Sequence, residues 1–215
     1  MPRDHPDHPN LRLFEHPLIQ RKLTHARDVK TQSGDFRRLL NEIAGLMTFE
    51  VSRHFPTREV EVETPMGRTC GTALSAPVTL VPILRAGIGM TDGVLALMPE
   101  ARVGHIGIYR DESSLQPIDY YAKFPRDIAA GPVLLIDPML ATGGSAVHAT
   151  SELKQRGCTD ISLICLVAAP EGVRRMYESH PDVTVYAAAL DDHLNKHGYI
   201  VPGLGDAGDR IFGTQ

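Results

Sequence analysis

Four short apolar runs constrain this chain most: Val78–Leu84, Val133–Ile136, Ile161–Val167 and Val183–Ala187. Each is nearly continuous and rich in β-branched residues, as in a strand buried on both faces of a parallel sheet. Helix candidates lie between them at about Met90–Met98, Gly144–Arg156 and Glu171–His180. Gly157 sits where a C-cap belongs, and Pro170 suits a first helical turn. Strand–helix alternation with right-handed crossovers predicts an α/β fold, an open, mainly parallel twisted sheet flanked by helices.

The remainder reads as additions to that sheet. The first ten residues are Pro- and His-rich, carry no apolar stretch of a signal peptide, and are expected to form a mobile N-terminal arm, residues 1–14. Residues 15–215 are expected to form a single domain. Within it, Phe36, Leu39, Leu40, Ile43, Leu46, Met47 and Val51 keep helical spacing, predicting a helix over Ser33–His54 capped by Ser33 or Asp35. Val60–Glu63 alternates like a strand. Residues 103–127 alternate around a polar centre and predict a long projecting β-hairpin. The tail from His197 to Gln215 reads as a Gly-rich loop too broken for a helix.

Composition excludes several classes. Apolar residues are 42% and charged residues 22% of the 215, ordinary for a folded chain. The net charge of −4 offers no global attraction to nucleic acid or an acidic membrane. The longest apolar segment is too short to span a bilayer. Cys70, Cys158 and Cys165 form neither a disulfide framework nor a zinc knuckle, so a reducing, cytoplasmic setting is expected. Ten of the 19 glycines fall within 82–93, 137–145 and 198–213, where backbone must turn sharply or approach a ligand.

Those three stretches hold the chemistry. In the first, Val81-Pro-Ile-Leu-Arg85-Ala-Gly87 ends a strand with an arginine whose fork of donors suits phosphate, or a structural acid. In the second, strand Val133–Ile136 delivers Asp137, and Thr142-Gly143-Gly144-Ser145 then opens a helix. Strand ends of open α/β sheets carry sites, and a helix N-terminus attracts anions. An acid beside a phosphate cradle fits a ribose phosphate; the plain alternative is a capped strand–turn–helix connection. The loop lacks the Gly-Lys-Ser/Thr of a Walker A motif. In the third, Gly203-Leu-Gly205-Asp206-Ala-Gly208 matches G-x-G-x-x-G only formally, since no strand-to-helix context surrounds it. A loop of exposed backbone there can read a planar base, or can simply be a disordered tail. Asp191-Asp192 reads as a solvated turn, Arg110-Asp-Glu as a charged hairpin tip, and His105 and His148 as surface or core residues. His193 and His197 have metal-site spacing without a third ligand.

Asp137-Pro-Met-Leu-Ala-Thr-Gly-Gly-Ser resembles the phosphoribosyl-diphosphate loop of type I phosphoribosyltransferases. With Ile83-Leu-Arg-Ala-Gly and the ending Gly198-Tyr-Ile-Val-Pro-Gly-Leu-Gly-Asp-Ala-Gly-Asp-Arg, the chain from about Glu15 onward resembles the uracil phosphoribosyltransferase family. That resemblance implies a pentosyltransferase joining uracil to 5-phospho-α-D-ribose 1-diphosphate (PRPP), giving UMP and diphosphate in pyrimidine salvage. It implies that Asp137, Pro138, Met139, Leu140, Ala141, Thr142, Gly143, Gly144 and Ser145 bind the ribose phosphate. Arg85 and Arg110 would hold the diphosphate. Ile200, Gly205, Asp206 and Ala207, within a base-binding loop at about 197–213, would hold uracil, with Asp206 also near PRPP. No residue is implied as a dedicated acid, base or nucleophile. Mg²⁺ is implied as cofactor, held through PRPP and water rather than by direct protein ligands. A homo-oligomer and an allosteric GTP effector belong to the same expectation; nucleic acid and membrane do not. Two rivals remain at this level: an RNA-binding regulator on the same fold, disfavoured by the missing basic stripe, and a transferase for another base.

Overall fold

The computed structural model describes residues 1–110 and 117–214. The chain opens with β1 (Arg3–His5), β2 (His8–Leu13), α1 (Pro17–Arg27) and α2 (Ser33–Val51). A two-stranded ribbon follows, β3 (Thr57–Thr64) and β4 (Gly67–Leu74), then β5 (Thr79–Leu84), α3 (Ile88–Leu95) and β6 (Arg102–Val103). The hairpin β7 (His105–Arg110) and β8 (Pro117–Lys123) precedes β9 (Val133–Ile136), β10 (Met139–Leu140) and α4 (Gly144–Gln155). The last third comprises β11 (Ile161–Ala168), α5 (Pro170–Ser179), β12 (Thr184–Leu190), β13 (His193–Leu194), β14 (Ile200–Val201) and α6 (Ala207–Phe212).

The main sheet has the order β1-β2-β12-β11-β9-β5-β7-β8, with β10 beside β11 and β6 beside β5. From β2 to β7 every neighbour pair is parallel, and antiparallel strands close both edges. The expected mainly parallel α/β sheet is therefore observed. Successive residues of its strands serve opposite faces. Leu80, Leu134 and Ile164 pack with Ile19, Phe36, Ile43, Met47 and Met90 from α1, α2 and α3. Val81, Leu135 and Leu163 pack with Ala149, Leu153, Val173 and Met176 from α4 and α5. Each such fully buried aliphatic side chain stabilises by about 1.5–3 kcal/mol.

Three expectations change, and one helix, α1, lies where none was predicted. The N-terminal residues are no mobile arm: β2 pairs with β12, Leu11 is fully buried, and Phe14 N donates to Ala187 O at 2.9 Å. The first fourteen residues thus supply two strands of the same sheet. Helix α1 falls in a stretch without a usual capping residue; the His16 ring accepts the Leu18 N–H at 3.2 Å, and Pro17 occupies the first turn. Helix α2 follows Gln32, which makes no side-chain cap, while Asp35 pairs instead with Arg38 at 3.0 Å. The tail contains a real helix, α6, because Asp206 caps it by accepting the Asp209 N–H at 2.9 Å. The expected hairpin is present, with its centre at 111–116 outside the described residues.

Helices α2 and α3 approach so closely that Gly93 has no room for a side chain. A Cβ there would lie 1.9 Å from Asn41 O, and the Gly93 N–H already donates to Asn41 Oδ1 at 2.9 Å. Gly34, by contrast, faces open space. Gly93→Ala should cost about 3 kcal/mol in urea denaturation, whereas Gly34→Ala should be neutral or stabilising by up to about 1 kcal/mol.

Candidate active site

The C-terminal ends of β5, β9 and β12 release Arg85, Asp137 and Asp191 respectively along one edge of the parallel sheet. Two of the glycine-rich stretches meet there by backbone. A Cβ on Gly87 would lie 2.6 Å from Ile136 O and 2.7 Å from Ile83 O, so only glycine lets the Arg85 turn seat against the end of β9. The peptide between Leu84 and Arg85 is cis.

Within 137–145 the residues divide by role. The Pro138 carbonyl accepts from Leu166 N and Val167 N at 3.0 and 3.1 Å, and Leu140 O accepts from Ala169 N at 2.9 Å. Met139 and Leu140 form β10, and Pro138 and Leu140 are buried. These three anchor the loop in the sheet; beyond them Gly143 is buried, and Thr142, Gly144 and Ser145 are partly exposed. Gly143 precedes α4 in the left-handed region, φ 76°. The first intrahelical bond runs from Val147 N to Gly143 O, so the N–H groups of Gly144, Ser145 and Ala146 precede the helical ladder. Arg175 of α5 donates to Thr142 O at 3.4 Å, bringing a further guanidinium beside this loop.

The C-terminal loop is fastened from below. Arg27 holds Asp191 in a two-pronged pair at 2.7 and 2.6 Å, and also donates to Gly203 O at 2.9 Å. Gly203 N donates to Asp191 Oδ2 at 2.8 Å. Asp191 is therefore no solvated turn residue; its side chain is 6% exposed. Arg210 donates to Ala26 O, Leu204 O and Asp28 O at 2.7–2.8 Å and lies 4.1 Å over the Phe36 ring. Burial holds its pKa below the usual guanidinium value.

So fastened, the third stretch reaches the other two. Arg85 Nη2 stands 3.5 Å from Asp209 Oδ1, and its guanidinium lies 5.8 Å from the Phe212 ring centre. The Arg85 side chain is 58% exposed, so this loose pair leaves most of its fork open. A Cβ on Gly198 would be 3.7 Å from Thr142 Cγ2. Ile200 and Ala207 are buried in the core, whereas Gly205 is exposed at φ 74°. Arg110 pairs through its backbone with Pro117, and its side chain lies outside the described residues. His193 and His197 are both exposed.

The family model described as uracil phosphoribosyltransferase matches residues 13–214. The chain belongs to the uracil phosphoribosyltransferase family. A relative so named from Bacillus cereus is 54% identical over 206 residues, covering 95% of this chain and 99% of its own. A solved structure, the AQ2163 protein from Aquifex aeolicus, superposes with TM-score 0.90 at 35% identity, over 94% of this chain and 97% of that one. Adenine phosphoribosyltransferase from Leishmania donovani shares the fold, with TM-score 0.57 and 13% identity over 88% and 87% of the two chains. No helix among the described residues is long and apolar enough to cross a membrane.

In this member of the family Asp137 is the perturbed acid. Loss of hydration pushes its carboxyl up to about 7, opposed by the Met139 N–H that donates to it at 3.3 Å. At neutral pH the group therefore both accepts and donates hydrogen bonds, which suits vicinal hydroxyls. Arg27, Asp191, Arg175 and Arg210 escaped the sequence reading because their partners are remote in the chain; Arg27 and Asp191 are 164 residues apart.

Two measurements follow from this geometry. The unfolded chain releases the Asp137 proton near pH 4, the folded chain near pH 7. The folded state thus holds more protons in between, and stability falls as pH rises from about 4 to about 7, then levels. Urea titrations at successive pH should show wild type losing stability relative to Asp137→Asn through that window and a constant difference above about pH 8. Separately, Asp191→Ala strands the Arg27 guanidinium and should cost about 3 kcal/mol, with faster proteolysis after residue 200.

Proposed function

We propose that this chain transfers the phosphoribosyl group of PRPP to N1 of uracil, forming UMP and diphosphate. The observation that carries this reading is the approach of three remote stretches: no side chain fits between Gly87 and Ile136 O, Arg85 pairs with Asp209, and Gly198 lies beside Thr142. An anion cradle, an exposed guanidinium and a backbone-lined loop then border one space, as a sugar diphosphate and a planar base require.

The parts assign themselves by chemistry. The N–H groups that precede the helical ladder of α4, that of Gly144 now resting on Thr142 Oγ1 at 3.5 Å, receive the 5-phosphate together with Thr142 and Ser145. Asp137 faces the ribose hydroxyls. Arg85 neutralises charge on the departing diphosphate as the C1–O bond stretches, and Arg110 joins it from the hairpin. Backbone at Ile200 and Gly205–Ala207 reads the base, with Asp206 between base and sugar. Fixed N–H and C=O polarity accepts uracil; cytosine, with N3 and its exocyclic group inverted, leaves buried groups unpaired. Most of the rate comes from alignment and charge stabilisation, with the hairpin excluding water from the activated ribose.

The residues here fit Mg²⁺ only as a passenger of the substrate. Asp137 is half-buried and holds a proton up to about pH 7, Asp206 caps α6, and Asp209 faces Arg85. When bound with the substrate, Mg²⁺ would supply Lewis-acid neutralisation of the diphosphate, with Arg85 beside it. A reducing cytoplasm suits the three free cysteines. A homo-oligomer and a GTP effector complete the reading.

The test is UMP formation from labelled uracil with PRPP and Mg²⁺. Uracil should be turned over, and cytosine and hypoxanthine at least about 100-fold less well. Arg85→Ala and Asp137→Asn should each lower kcat by about 10²-fold. Equal turnover of cytosine would overturn the base assignment; full activity in both variants would overturn the site.

A further inference from the structure

We propose that Asp119, His148 and Glu152 form a binding site for one Zn²⁺ ion between the hairpin and helix α4, apart from the substrate site. Asp119 lies on β8, and His148 and Glu152 lie one turn apart on α4, so both helical side chains leave the same face toward the hairpin. One ligand atom from each of the three comes within 4.8 Å of the others.

His148 Nε2 and Asp119 Oδ1 are the decisive pair. They stand 2.9 Å apart, yet the contact lacks hydrogen-bond alignment, and neither atom has another partner among the described residues although both are buried. Two buried lone-pair atoms that approach without sharing a proton are arranged as neighbours around a third centre. Ligands about 2.0–2.2 Å from a common ion, at angles of about 90–110°, stand about 2.8–3.6 Å from one another. The observed 2.9 Å falls in that range. Glu152 completes the set: Arg156 holds its Oε2 at 2.6 Å, orienting the carboxylate while leaving the other oxygen free. One imidazole and two carboxylates suit Zn²⁺ with water in a fourth position, whereas the imidazole disfavours Mg²⁺. Bound there, the ion ties β8 to the helix whose N-terminus carries the Thr142–Ser145 loop.

The test uses the full chain, stripped with chelator and dialysed. Zn²⁺ titration by calorimetry should find one equivalent bound by wild type. Asp119→Asn and His148→Gln, both close in shape to the native residues, should weaken binding more than tenfold. Co²⁺ should give tetrahedral visible absorption in wild type and lose it in both variants. Zn²⁺ should slow amide exchange in 105–110 and 119–123 of wild type only. The half-buried His5 and His8, with ring centroids 5.0 Å apart, remain in every protein, so their contribution cancels. Equal Zn²⁺ binding by wild type and both variants, or no binding by wild type, would overturn the site.

Discussion

Burial of a parallel sheet on both faces is the constraint from which the rest follows. Leu134 and Leu135 are adjacent, yet one packs toward α1–α3 and the other toward α4 and α5. Strands of that kind must be joined by crossovers that return the chain to the same starting edge. Every strand of the parallel set then ends along one rim. Arg85, Asp137 and Asp191, spread over a hundred residues of sequence, are brought to that one rim by topology alone.

Side chains fasten what topology cannot reach. The C-terminal loop has only the two-residue strands β13 and β14 and the short helix α6. It holds its position through Asp191, which accepts the Gly203 N–H, and through Arg27 and Arg210, which satisfy the carbonyls of Gly203, Ala26, Leu204 and Asp28. Two of those carbonyls belong to the end of α1, so the arginine that fixes the loop also terminates a helix. Buried guanidinium groups of this sort need their donors matched, and here the partners are mostly main-chain oxygens.

How much of this could be read from sequence depends on the range of the signal. The strands were legible because uninterrupted apolar runs have few other outcomes, and the three loops because glycine gathers where backbone is crowded. Helix α1 was missed because its cap is His16 and its apolar pattern spans little more than three turns. Strand β2 was missed because its only alternation, Asn10-Leu-Arg-Leu13, is short and follows a proline, and pairing with β12 decides its state. Asp191 looked like any acid in a turn, since only its distant arginine distinguishes it. Pro138 and Leu140, expected from the motif to line the ligand, are buried, and their carbonyls also hold the loop to the sheet, a role no motif announces.

Gly87 has a consequence for motion. Because no side chain fits between Gly87 and the Ile136 carbonyl, the turn carrying Arg85 and the strand end carrying Asp137 are closely packed. Contacts that close transmit displacement rather than absorb it. A sugar phosphate that shifted the Asp137 segment by a fraction of an ångström would carry the guanidinium with it. Donor and acceptor ends of the cleft would then tighten as one body, although no covalent link shorter than fifty residues joins them.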